Sequence, residues 1–208
     1  MSNLMLSQLV CTRIIHDLVG NAGALSNSLE LMEEENDAEI LHDLKNIITS
    51  SSKVLSARMK FFRLAFGLDN SYIKDDKTVF SAIDDYLKTL GSMSNNFSFA
   101  AEKTLPEHNR VIMLAVMILA DLALKGGEIR TCYENECLWV AISSDSRFSE
   151  SKIDNTKSVI AGSEDHNNDA QCAHILYLRE LLKNNGKMSL FENGSETVVF
   201  NIKFLKTA

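Results

Sequence analysis

Basic charge is in deficit here: 21 Lys and Arg stand against 28 Asp and Glu, a net charge of −7. That argues against sequence-independent nucleic-acid binding, which needs a basic face to meet phosphates. Cysteine is sparse, at Cys11, Cys132, Cys137 and Cys172. No two form a C-x-x-C pair, and none has a histidine at zinc-ligand spacing. They read as reduced, small apolar residues of a cytoplasmic chain. The N-terminus has no basic stretch before its apolar residues, so no signal peptide is expected. The longest apolar run, residues 111–120, falls well short of the ~20 residues that span a membrane. Glycine is nearly absent from residues 128–185: Gly162 is the only one between Gly127 and Gly186.

What remains is the composition of a soluble globular protein, 45% hydrophobic and 24% charged over 208 residues. That length fits one domain or two small ones. Residues 4–34 repeat apolar side chains at steps of four and three: Leu4, Cys11, Ile15, Leu18, Ala22, Leu25, Leu29 and Met32, with Gln8 as the polar member. This is heptad spacing, the mark of helices packed along their length. A polar turn at 33–37 follows. A second helix is expected over 38–66, with a wide stripe of Ile40, Leu41, Leu44, Ile47, Ile48, Val54, Leu55, Phe61 and Phe62. Two long helices and a short turn make an antiparallel hairpin. Its stripe is wider than a two-helix contact needs, so each helix is expected to touch two others. Two-fold self-association into a four-helix bundle supplies those neighbours. Packing on the chain's own C-terminal domain is the alternative.

A break at 67–71 separates a hairpin domain, 1–67, from a second domain, 71–208. In the second, helices are expected over 78–90, 107–125 and 170–185, the last two ended by Gly126–Gly127 and Gly186. Strands are expected over 97–101, 128–132, 138–143, 187–192 and 196–204, with Asn193–Gly194 as a hairpin turn. Helices mixed with antiparallel strands suggest a two-layer α/β sandwich. Residues 150–169 read as a long polar loop, with Asp165, His166 and Asp169 solvated rather than bound to a metal.

His16 lies off the seam, roughly 130° from its middle, and so faces outward. An ordinary imidazole is mostly neutral at pH 7 and keeps a lone pair for attack. Asp17 beside it is placed to fix one tautomer or to take the ring proton. Gly20 and Gly23 follow on the same face, although each costs a helix about 1 kcal/mol against alanine. They either keep that face low for an approaching molecule or admit a neighbouring helix of the dimer. Thr12, Arg13 and Asn21 flank the histidine. Level with it on the second helix stand Ser51, Ser52, Lys53, Ser56 and Arg58, small hydroxyls and cations that suit a phosphoryl group.

These residues carry a resemblance. Arg13-Ile14-Ile15-His16-Asp17-Leu18, Gly23-Ala24-Leu25, Leu29-Glu30-Leu31 and Ala120-Asp121-Leu122-Ala123-Leu124-Lys125-Gly126-Gly127 resemble the ChpT-type histidine phosphotransferases. These are related to the dimerisation and ATPase domains of sensor histidine kinases. The resemblance covers nearly the whole chain. It implies an α+β homodimer: a helical hairpin forming a four-helix bundle, then an ATPase-like sandwich that has lost its nucleotide. It implies a phosphorelay step, from the receiver aspartate of a hybrid kinase through His16 to the receiver aspartate of a response regulator. His16 and Asp17 are then the catalytic pair. Arg13, Thr12, Gly20, Gly23, Asn21, Lys53 and Arg58 face the partner. No cofactor or metal belongs to this chain, Mg²⁺ sitting on the partner receiver. No nucleic-acid or membrane partner is implied, and the location is cytoplasmic. Asn21 stands where these families often place a helix-bending proline, which leaves the glycines to supply flexibility.

An active kinase is the first rival reading. It would need an asparagine on the apolar helix for Mg²⁺ and glycine-rich loops for the phosphates. Residues 111–125 contain no asparagine, and Ser144-Asp145-Ser146-Arg147-Phe148 stands where a D-x-G-x-G box would be. The other rival is a scaffold that binds receivers without chemistry.

Overall fold

The computed structural model describes residues 1–68, 72–91, 96–163 and 169–205. Two long helices open the chain: α1, Asn3–Glu34, and α2, Ala38–Phe66, as the periodicity predicts. Ser2 caps α1 by accepting from the Met5 amide. Asp37 caps α2 by accepting from the amides of Glu39 and Ile40. These short polar acceptors satisfy first-turn amides that have no partner inside the helix. They fix the hairpin's tight tip.

Next come α3, Asp76–Leu90, and β1, Asn96–Glu102. A 3-10 turn at Pro106–His108 leads into α4, Asn109–Leu122. Then follow β2, Gly126–Glu134, β3, Cys137–Ser143, and α5, Glu150–Ala161. A second 3-10 turn, Ala170–Cys172, leads into α6, Ala173–Leu182. The chain closes with β4, Gly186–Glu192, and β5, Thr197–Phe204. The strands form one sheet in the order β1-β2-β3-β5-β4. Among the described residues only the β1–β2 pair is parallel. No helix among the described residues is long and apolar enough to cross a membrane.

α4 is the centre of the core: every residue from Val111 to Ala120 is buried. It packs on β2, β3 and β5 on one side and on α2, α3, α5 and α6 on others. One continuous cluster joins Leu6, Leu9, Val10, Phe61 and Ala65 of the hairpin to α3, α4, α6 and the sheet. The boundary expected at 67–71 therefore separates two segments that share a core; residues 69–71 lie outside those described.

Four expectations change. Residues 150–169 are not all loop: α5 occupies 150–161. It buries Ile153, Thr156 and Val159, a narrow stripe of i, i+3, i+6 hidden in polar sequence. Gly162 ends it at φ +94°, the left-handed cap that glycine adopts freely. Asp165 and His166 lie outside the described residues, while Asp169 accepts from the Gln171 amide at 2.8 Å. Gly186 begins β4 rather than capping a helix, since α6 stops at Leu182. Gly126 likewise begins β2, at φ +87°; a Cβ there would meet the Asn96 carbonyl at 2.2 Å, so only glycine allows the parallel β1–β2 approach. The α1 seam is rotated by about one residue. Leu6, Leu9, Val10 and Ser28 are buried, while Leu4, Cys11, Ile15, Ala22 and Leu29 are exposed. One residue turns a helix by ~100°, so the apolar seam runs along the hairpin's open side.

Candidate functional site

Helix α1 holds His16 in the open, its side chain 82% exposed. The ring Nδ1 lies 3.2 Å from Oδ1 of Asp17. An ionised carboxylate can only accept, so the proton in this contact sits on Nδ1 and Nε2 is left with its lone pair. Asp17 is itself held. Its Oδ2 accepts from Arg13 Nε at 2.9 Å, one helical turn back, and the Arg58 guanidinium donates to its backbone carbonyl.

Arg13 is turned inward, 13% exposed, rather than toward a partner. Its Nη2 donates to Asp121 at 2.9 and 3.3 Å, and its Nη1 to the Gln171 carbonyl at 3.4 Å. Burial alone would ease loss of its proton. The carboxylates of Asp121 and Asp17 outweigh that and hold its pKa above the usual value. Arg58 is also committed within the chain, donating to the Thr89 hydroxyl and carbonyl besides Asp17. It braces α1 and α2 against α3, and its donors are not turned to a ligand. Lys53 is exposed and borders a different groove with Lys60, Asp85 and Lys88. Thr12 borders the His16 site, its hydroxyl donating to the Gln8 carbonyl. Asn21 is half-buried.

Gly20 and Gly23 are exposed, and a Cβ built on either meets no atom within 4 Å. Among the described residues of the single chain no other helix presses on that face. Gly23→Ala is therefore expected to stabilise the fold by about 1 kcal/mol through helix propensity, read from urea unfolding. A loss of stability would mean that the glycine face is packed in solution.

A cavity of about 450 Å³ opens beside His16, between α1 and the second segment. Sequence reasoning missed two of its walls, Asp121 of α4 and His174 of α6. The available signal was a lone carboxylate ending an otherwise apolar helix. His174 is 2% exposed, and its Nε2 stands 3.5 Å from Asp121 without making a hydrogen bond. Burial pushes its pKa down to about 4; Asp121 and Asp17 oppose this and Arg13 adds to it. The unfolded chain takes this proton near pH 6.5, the folded chain only near 4. Stability should therefore rise with pH between those values and level off above. The full span is about 3 kcal/mol for this group. Urea unfolding of His174→Leu from pH 4.5 to 7.5 should show a shallower rise than the wild type. Burial lowers His108 as well, so the difference between the two proteins is the quantity to read.

The helix expected to lack asparagine does begin with one, Asn109. It is buried, and its Nδ2 donates to the Ile73 carbonyl and to Asp76, at 2.9 and 2.8 Å. In the Ser144–Ser146 turn after β3, the Ser146 amide is already taken by the Ser144 hydroxyl. The Asn109 Nδ2 and the Ser146 amide are engaged within the chain, while Asn109 Oδ1, the atom a Mg²⁺ would take, is buried without a hydrogen-bond partner among the described residues.

No protein-family model matches the chain. Over 71 residues it is 44% identical to protein phosphotransferase ChpT of Brucella abortus (strain 2308), a stretch that makes up 34% of this chain and 32% of that protein. The match thus spans about a third of that relative's length. A solved bacterial phosphotransferase superposes with a TM-score of 0.74 over 98% of both chains, at 22% identity, and shares the fold. The histidine kinase AdeS of Acinetobacter baumannii aligns with 91% of this chain, at 11% identity and a TM-score of 0.42. The resemblance to ChpT-type phosphotransferases is thus met in sequence over about a third of the chain, and the fold is shared with a solved bacterial phosphotransferase.

Proposed function

We propose that the chain is a histidine phosphotransferase, taking a phosphoryl group onto His16 from a receiver-domain phosphoaspartate and passing it to the aspartate of a second receiver. One observation carries the reading: an exposed imidazole, on a rigid helix, with Nδ1 engaged by a carboxylate and Nε2 free. The 44% identity to a ChpT segment supports it, as does the shared fold.

In the transfer, Nε2 attacks phosphorus opposite the aspartyl oxygen. The N–P bond forms, the P–O bond breaks, and the donor aspartate leaves as a carboxylate. The ring becomes positively charged as its lone pair is used. Asp17, facing Nδ1–H, stabilises that charge where it develops. The return step reverses these bonds toward the next receiver. Mg²⁺ would be held by the receiver, whose phosphoaspartate it neutralises. The low surface at Gly20 and Gly23 lets the receiver approach without side chains in the way. The working unit is a cytoplasmic homodimer joined through the apolar stripe of the hairpins.

The test is incubation of the full chain with a phosphorylated receiver domain. Acid-labile label should appear on this chain within seconds to minutes. A protein that binds the receiver yet takes no label would be a scaffold, and the reading would be wrong.

A further inference from the structure

The geometry points to Asp121 as a positioning residue for His16, contributed by the second segment and acting through Arg13 and Asp17. The inference rests on the phosphotransfer reading and deepens it.

The contacts form one chain. Asp121, 108 residues along the sequence from Arg13, takes the Nη2 end of that guanidinium with both oxygens, at 2.9 and 3.3 Å. Arg13 Nε takes Oδ2 of Asp17 at 2.9 Å. Oδ1 of Asp17 faces His16 Nδ1 at 3.2 Å. Arg13 and Asp17 are both largely buried, with side chains 13% and 16% exposed, so their geometry is set by each other rather than by water. A guanidinium is a planar fork, and fixing its Nη2 end fixes where Nε points. That in turn fixes the carboxylate of Asp17.

Charge acts in the same direction as geometry. One guanidinium serves two carboxylates. Were Arg13 paired with Asp17 alone, its full positive charge would bear on the group meant to attract the Nδ1 proton. Asp121 shares that charge and leaves Asp17 the stronger acceptor. Asp121 is anchored in turn: Lys152 of α5 donates to its backbone carbonyl at 2.7 Å, and His174 walls it from behind. The second segment lacks a glycine-rich phosphate box after β3, yet through Asp121 it reaches the phosphoacceptor. Holding that residue in place is a reason to keep the fold.

The experiment compares wild type, Asp121→Asn, Arg13→Gln and the double variant in two readouts. The first is single-turnover transfer from a phosphorylated receiver. Asp121→Asn should lower the maximal rate roughly ten- to a hundredfold, by analogy with metal-ligating histidines that lose the carboxylate orienting them. The receiver concentration for half-maximal rate should stay unchanged, since Asp121 lies behind Arg13. Arg13→Gln should match this loss, and the double variant should lose no more than either single one, as members of one chain do. Asp121→Glu, which keeps the charge, should recover most of the rate. The second readout is the ¹⁵N NMR tautomer state of His16, which needs no transfer. Wild type should show Nδ1–H, and the Asp121→Asn and Arg13→Gln proteins a mixture. A wild type that takes no label defeats the phosphotransfer reading and leaves the NMR arm to judge the chain of contacts. A labelled wild type with unchanged rate and tautomer in Asp121→Asn overturns the role of Asp121 alone. Should Asp121→Asn fail to fold, Arg13→Gln decides by the same two readouts.

Discussion

His16→Ala is expected to abolish phosphoryl acceptance from a phosphorylated receiver, a loss of roughly 10³-fold or more, with the fold intact. The nucleophile is the one member of such a site that positioning cannot replace. Its removal should barely touch stability, because the imidazole stands 82% exposed and its polar contact among the described residues is with Asp17 next to it. Exposed substitutions of this kind stay within about 0.5 kcal/mol. Asp17→Asn should slow transfer without ending it. The amide still offers an oxygen to Nδ1–H, but it brings no charge to the developing imidazolium. The measurement is labelling by a phospho-receiver, followed by acid treatment and mapping of the adduct. Acid-labile label persisting on His16→Ala, or found on His42, would refute the assignment. Unfolding of the variant would be a different failure, visible in its melting curve.

The stretches of the site that lie along α1 were legible in sequence. A helix repeats its faces every 3.6 residues, so His16, Gly20 and Gly23 could be placed on one outward face by counting. The hairpin ends were legible because a polar turn and Asp37 interrupt two strong periods. What failed was the angle of the inner face. Leu4, Ile15 and Leu29 keep heptad spacing as well as Leu6 and Val10 keep theirs, and a one-dimensional pattern cannot say which stripe meets the chain's own core. Helix α5 was hidden by its polar surface, since three buried positions carry its whole signal. Arg13 was misjudged for another reason. A cation one turn from a histidine reads as facing the partner until Asp121, more than a hundred residues away, is brought beside it. The wall of the site built by α4 and α6 is tertiary structure, and no local spacing encodes it.

The apolar stripe left on the open side of the hairpin gives the second large effect: Leu29→Asp should convert the proposed homodimer into a folded monomer. Ile15 is 64% and Leu29 53% exposed in the single chain, and Leu4 and Val19 of α1 and Ile40 and Ile47 of α2 are exposed as well. Soluble monomers rarely leave so extended an apolar face in water. Two hairpins joined along it would bury well over about 1,000 Å², the scale of a stable interface. In a two-fold dimer each substitution acts twice. An uncompensated carboxylate at the seam would cost several kcal/mol per copy, enough to raise the dissociation constant by several powers of ten. Because Leu29 is exposed within its own chain, the monomer should keep its helical content and the Arg13–Asp121 contact. Leu44→Asp is the control with the opposite outcome. Leu44 is buried in the chain itself, so a charge there should unfold the hairpin rather than merely separate the copies. Light scattering at micromolar concentration and circular dichroism distinguish the cases. The wild type should run at twice the chain mass, Leu29→Asp at one chain mass with native helicity, and Leu44→Asp with helicity lost. A wild type at one chain mass would overturn the dimer. Transfer measured on the Leu29→Asp monomer then tells whether one hairpin suffices. His16 and its Asp17–Arg13–Asp121 support all come from one chain, so the monomer should still accept label, more slowly if the receiver also rests on the partner hairpin.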